Sequence, residues 1–132
     1  GLARILAAAA GLHRAGLVHR NIHAGNVLQR RSGLLPDPML CEPMSGAAAA
    51  PFAAPEMLRG GWPTPATDVW ALGVLAYRVL TGHAPFAGTP AAIADQVLTD
   101  RPPPPSLLAP GLSRAMEAWL LRALEVDPRD RY

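Results

Sequence analysis

Apolar residues recur at intervals of three and four through Leu2, Ile5, Leu6, Ala9 and Leu12, the spacing of a helix with one buried face. The pattern predicts a helix over 2–14, stopped at Gly16, since glycine ends a helix at least steric cost. Leu17-Val18 and Val27-Leu28 are apolar pairs on either side of a stretch rich in hydrogen-bonding side chains, and they predict two short strands flanking a functional loop. Between Arg30 and Ala50, Pro36, Pro38 and Pro43 with Gly33 and Gly46 exclude a regular helix, and the low-complexity run Ala47 to Ala50 is expected to be mobile. From Ala66 to Thr81 the chain is apolar nearly all round and closes on Gly82, so it predicts a helix in the middle of a core. Thr89-Pro90 supplies a cap and a first-turn proline for a shorter helix with Ile93, Val97 and Leu98 inward. Pro102 to Pro105 reads as an extended, non-helical spacer. A last helix starts near Ser113, with Met116, Trp119, Leu120, Ala123 and Leu124 on one face.

Asp68 interrupts the apolar pattern near the start of the central helix. A carboxylate entering a core helix has to be hydrogen-bonded or paired, because leaving it bare costs several kcal/mol. The alternative is a charge favoured by the positive end of the helix dipole. Composition bounds the class: 132 residues fit one mainly α domain that can bury a core without staples. No apolar run approaches the roughly 18 residues of a membrane span, and no basic region leads to a cleavage site near the N-terminus, so a soluble cytoplasmic protein is expected. Lys and Arg exceed Asp and Glu by 12 to 10 and are scattered, which gives no stripe for nucleic acid. The single cysteine, Cys41, cannot form an internal disulfide. His13 and His83 have no metal-ligand spacing with other residues and read as surface or packing histidines.

Specific motifs add a resemblance. Leu17 to Leu28, LVHRNIHAGNVL, resembles the catalytic loop of protein kinases, in which His-Arg-Asp is followed five positions after the Asp by Asn. Phe52-Ala53-Ala54-Pro55-Glu56 looks like the Ala-Pro-Glu end of an activation segment, and Thr67 to Val74 looks like the start of the buried central helix. Gly82-His83-Ala84-Pro85-Phe86 and Asp127-Pro128-Arg129-Asp130-Arg131 resemble the later Gly-x-x-Pro-Phe and Asp-Pro-x-x-Arg motifs. Their order and spacing run across nearly the whole chain and most resemble bacterial serine/threonine kinases. The resemblance implies a partial kinase domain over 1–132: the helical C-terminal lobe, with short β strands around the catalytic loop and the N-lobe absent.

The resemblance also assigns residues. Asp68 would hold the backbone of the catalytic loop, Glu56 would pair with Arg131, and His19 would pack on the central helix as a spine residue. Leu28 would lie under an adenine, and Asn26 would hold a magnesium ion. Asn21 stands at the position of the catalytic Asp; an amide accepts a hydrogen bond but is no carboxylate base. His23 stands at the position of the catalytic-loop Lys and is mostly neutral at pH 7. The Asp-Phe-Gly metal motif has no match: Asp37-Pro38-Met39 would take its place with a deletion, Cys41-Glu42-Pro43 with an insertion, and Asp37 also reads as a solvated turn residue. Ala49 replaces the Thr that usually touches the catalytic Asp, and no Ser or Thr after Ser45 in this segment offers Arg20 a phosphorylated partner. Kept scaffold and lost charge together predict a pseudokinase-like binding or signalling module without cofactor, engaging a protein partner or the absent N-lobe. The alternative is a divergent serine/threonine kinase using ATP and magnesium.

Overall fold

The described residues, 1–30, 37–40 and 52–132 of a computed structural model, form six α-helices and one antiparallel hairpin. In chain order these are α1 (Leu2–Arg14), β1 (Val27–Arg30), β2 (Asp37–Leu40), α2 (Pro55–Leu58), α3 (Pro65–Thr81), α4 (Pro90–Thr99), α5 (Pro105–Leu108) and α6 (Arg114–Ala123). Short 3-10 turns lie at Ala24–Asn26 and Pro128–Asp130.

Both ends of α3 are chemically closed. Thr64 is extended, and its N–H donates to Thr67 Oγ1 at 2.9 Å, while Pro65 in the first turn has no N–H to satisfy. At the other end Gly82 adopts φ 75° and its N–H donates to the Arg78 carbonyl at 2.9 Å. Every residue from Trp70 to Tyr77 is buried, so α3 is the core around which the other helices pack. Each large apolar side chain there contributes about 1.5–3 kcal/mol relative to exposure. The Tyr77 hydroxyl donates to the Pro103 carbonyl at 2.9 Å, which satisfies the polar tip of a fully buried ring. Trp70 stacks on Phe86 with ring centres 5.9 Å apart.

The surrounding helices follow their sequence periodicity. α1 buries Ile5 and Ala9; α4 buries Ile93 and Val97 and is capped by Thr89, whose hydroxyl accepts the Ala92 N–H at 3.2 Å. α6 is capped in the same way by Ser113 and buries Leu120 and Ala123. It approaches α3 closely at Gly73, where a Cβ would stand 3.0 Å from Ala123 Cβ and 3.1 Å from Leu124 Cδ2. No helix among the described residues is long and apolar enough to cross a membrane.

Two expectations need correction. Leu17-Val18 is not a strand; β1 begins at Val27 and pairs with β2, which lies within the stretch where the prolines excluded a helix. The backbone after Val18 is instead held by a side chain of α3, as described below, and does not join a ladder. The proline run is also not extended throughout: Pro105 opens α5, because a first-turn residue needs no N–H. Ala47 to Ala50 lies outside the described residues.

The close approach at Gly73 makes two glycine substitutions diverge. Gly73→Val should destabilise by about 1–3 kcal/mol through overpacking. Gly11→Ala should stabilise by about 0.5–1 kcal/mol, since a Cβ there meets nothing nearer than the Arg14 guanidinium at 3.9 Å. Urea midpoints for the two variants would show it, and shifts of one sign would refute the packing described.

Candidate active-site loop

The loop from Leu17 to Asn26 is shaped by α1 on one side and α3 on the other. Gly16, at φ 74°, reverses the chain at the end of α1, and the Leu17 N–H donates back to the Leu12 carbonyl at 2.9 Å. Beyond this turn the Asp68 side chain, 1% exposed, gathers three donors: the His19 N–H at 2.7 Å, the Arg20 N–H at 2.8 Å and His13 Nε2 at 2.8 Å. Arg20 has φ 67°, a conformation that costs an L-residue about 1–2 kcal/mol. The bonds to two consecutive N–H groups hold it there.

His19 is buried, and its Nδ1 accepts the Asn21 N–H at 3.3 Å. In a neutral ring that leaves the proton on Nε2, which has no partner among the described residues. Asn21 is 7% exposed, and its carbonyl accepts the Asn26 side-chain N–H at 2.9 Å, which closes the loop across its base. His23 is turned to local work: its Nδ1 accepts the Gly25 N–H at 3.1 Å and caps the 3-10 turn. A Cβ at Gly25 would stand 3.0 Å from His23 Cε1, so a larger residue there would push the ring aside. The His23 ring also lies 6.0 Å from buried Phe52.

Strand register places the remaining candidates. Leu28 is in β1 opposite Met39, and Leu40 is opposite Val27, the neighbour of Asn26. Asp37 is opposite Arg30 at the other end of the hairpin, three residues or about 10 Å along the strand from Leu40. The register therefore does not bring the Asp37 backbone to Asn26. Cys41-Glu42-Pro43, which directly follows β2, lies outside the described residues, as do Ser45 and Ala49.

A second tie joins α2 to the segment that follows α6. Arg131, 3% exposed, donates to Glu56 Oε1 and Oε2 at 2.9 Å each. Its other bonds reach the carbonyls of Ala66 at 2.9 Å, Val126 at 3.2 Å and Glu125 at 2.7 Å. The guanidinium also lies 5.0 Å from the Trp70 ring centre. Burial raises the Glu56 carboxyl, but hydrogen bonds from Arg131 and the backbone, the Arg131 charge and the Thr67 hydroxyl together hold it below the usual value.

A family description, protein kinase domain, matches residues 2–132, across the loop, the central helix and the Glu56–Arg131 tie. The chain belongs to the protein kinase family. Serine/threonine-protein kinase PknL of Mycobacterium tuberculosis is 35% identical over 140 residues, covering 97% of this chain and 35% of PknL. Serine/threonine-protein kinase Pkn1 of Myxococcus xanthus is 33% identical over 150 residues, covering 99% of this chain and 21% of Pkn1. Serine/threonine-protein kinase PknB of M. tuberculosis is 29% identical over 134 residues, covering 91% of this chain and 21% of PknB. The chain thus spans about a third of PknL and a fifth of the other two.

One residue of this kinase domain escaped the sequence reading. His13 has no ligand spacing, yet it bonds the same carboxylate that holds the loop, 55 positions away. Its place in the last turn of α1, one turn before the chain reverses, was visible; its partner was not. Of the candidates, Asn21, Asn26, His19 and Arg20 converge on the loop held by Asp68, whereas His23 is spent on its own turn.

Two stability tests follow from these ties. Asp68→Ala strips acceptors from three donors, and at 1–3 kcal/mol per buried group left unmet it should cost about 3 kcal/mol or more. Asp127→Ala should shift the unfolding midpoint far less, because Asp127 bonds only Arg129, two residues on, at an exposed site. Equal midpoints would contradict the role of Asp68. For Glu56 the folded carboxyl is depressed, so its contribution is present above the unfolded value of about 4.3 and lost as pH falls through the folded one. Unfolding measured from pH 7 to pH 3 should give Glu56→Gln a shallower acid-side loss than the parent. Parallel curves would remove that linkage.

Proposed function

We propose that this kinase domain works as a pseudokinase-type binding module, whose lobe signals by contact with a protein partner or an N-lobe rather than by phosphoryl transfer. The observation that carries this is the state of the loop. Its backbone is fixed as firmly as a catalytic loop requires, yet Asn21 presents a neutral amide at the base position and His23 is engaged in its own turn. Phosphoryl transfer depends on positioning and on charge, and this loop keeps the first without the second.

Magnesium and ATP fit the described residues poorly. Asn26 spends its side-chain N–H on the Asn21 carbonyl, which leaves one amide oxygen toward a metal. Magnesium is held through carboxylates and phosphates, and an amide oxygen alone is a weak ligand. The register of the hairpin supports Cys41-Glu42-Pro43, rather than Asp37, as the segment in the place of the metal motif. The names of the relatives favour the second reading, a divergent serine/threonine kinase.

Phosphate incorporation from magnesium-ATP into a generic protein substrate separates the two. The full-length parent, Asn21→Asp and Asp37→Ala should all show none, since groups that act as a unit are not restored singly. Transfer by the parent would overturn the binding-module reading. If Asp37→Ala then abolished it, Asp37 would be the metal ligand.

A further inference from the structure

Away from the loop, a groove of about 780 Å³ opens between the end of α2, the α4–α5 linker and the segment after α6. Pro104, Leu121 and Val126 give it an apolar lining. Its charges are segregated by origin: Arg59 and Arg101 come from the first two segments, and Glu125, Asp127 and Asp130 from the third. Asp127 is already taken by Arg129, at 2.6 Å. The others are weakly engaged. Arg101 is largely exposed and reaches Glu125 only at 3.9 Å; among the described residues Arg59 has no ion pair and the exposed Asp130 carboxylate accepts no hydrogen bond.

Trp62, 88% exposed, follows the groove residue Arg59 by three positions, so their backbones lie within about 11 Å. It is held out by a fixed turn. Gly60 adopts φ 76°, the Gly61 N–H donates to the Glu56 carbonyl at 2.8 Å, and a Cβ at Gly61 would clash with that oxygen at 2.8 Å. Such a ring in water forgoes the burial of a large apolar surface and is the residue type most enriched among interface anchors.

We propose that this face is a two-fold interface between copies of the chain, Arg59 of each copy meeting the Glu125–Asp130 segment of the other, with Trp62 laid over the apolar lining. Charge decides the occupant. With Asp127 neutralised, Arg59 and Arg101 balance Glu125 and Asp130, so a ligand of either sign gains no net attraction. A second copy turned through a two-fold axis sets each sign against its opposite, because an isologous contact repeats itself. This inference is independent of whether the loop is catalytic, and its test reads association rather than phosphate transfer.

Sedimentation velocity of the full-length protein over a concentration series is the experiment. The parent should dimerise reversibly, and Trp62→Ala should weaken the dimer by about tenfold or more. Arg59→Glu and Asp130→Arg should each be monomeric with a parent-like melting temperature. Mixed in equal amounts, they should dimerise again, since both contacts of the mixed pair join opposite charges. A parent monomeric throughout, a charge reversal that leaves the dimer intact, or a mixture that stays monomeric would each overturn the interface.

Discussion

The Asp68 carboxylate is the constraint on which the rest of this lobe depends. It enters from the first turn of the most buried helix and accepts from two consecutive loop N–H groups and from an α1 histidine. A buried carboxylate is tolerated only when its lone pairs are filled, and here the donors come from the last turn of α1 and from the loop that follows it. The left-handed turn at Arg20 is a consequence, since the geometry of the two N–H bonds outweighs the local preference of an arginine backbone. Filling one carboxylate thus locks α1, the loop and α3 into one unit.

The Glu56–Arg131 pair makes a second tie at the same, N-terminal end of α3. Burying a guanidinium costs several kcal/mol unless its donors are filled, and here they are, by a bidentate carboxylate and three carbonyls. The pair fixes the start of α2 against the 3-10 turn at Pro128–Asp130. Both ties draw on α3, Asp68 through its own side chain and Arg131 through the Ala66 carbonyl and the face of Trp70.

These ties separate shape from chemistry. Neither Asp68 nor Glu56 needs a nucleotide, a metal or a catalytic base to be satisfied, so the scaffold persists when the charges of the loop are replaced. Asn21 illustrates the division: its backbone N–H and carbonyl are fixed by His19 and Asn26, while its side chain carries no charge to act with. A lobe built this way remains a stable surface, which is the property the proposed binding role uses.

The sequence by itself determined the four longer helices, α1, α3, α4 and α6, and the family resemblance. Period-three-and-four apolar spacing located α1 and α6, and Thr89-Pro90 and Gly82 marked a start and a stop, because caps and periodicity are local properties. It also picked out Asp68 as a carboxylate in need of partners, and left two readings open until the motifs were considered. What only the tertiary structure decided is where long-range bonds and pairing go. Leu17-Val18 looks like a strand by composition, but strand formation requires a partner, and the following backbone was claimed by Asp68. His13 looked unremarkable because its partner lies 55 residues away, a distance at which sequence spacing carries no signal. The hairpin register, which no local pattern specifies across a proline-rich stretch, sets the Asp37 backbone at the end remote from Asn26.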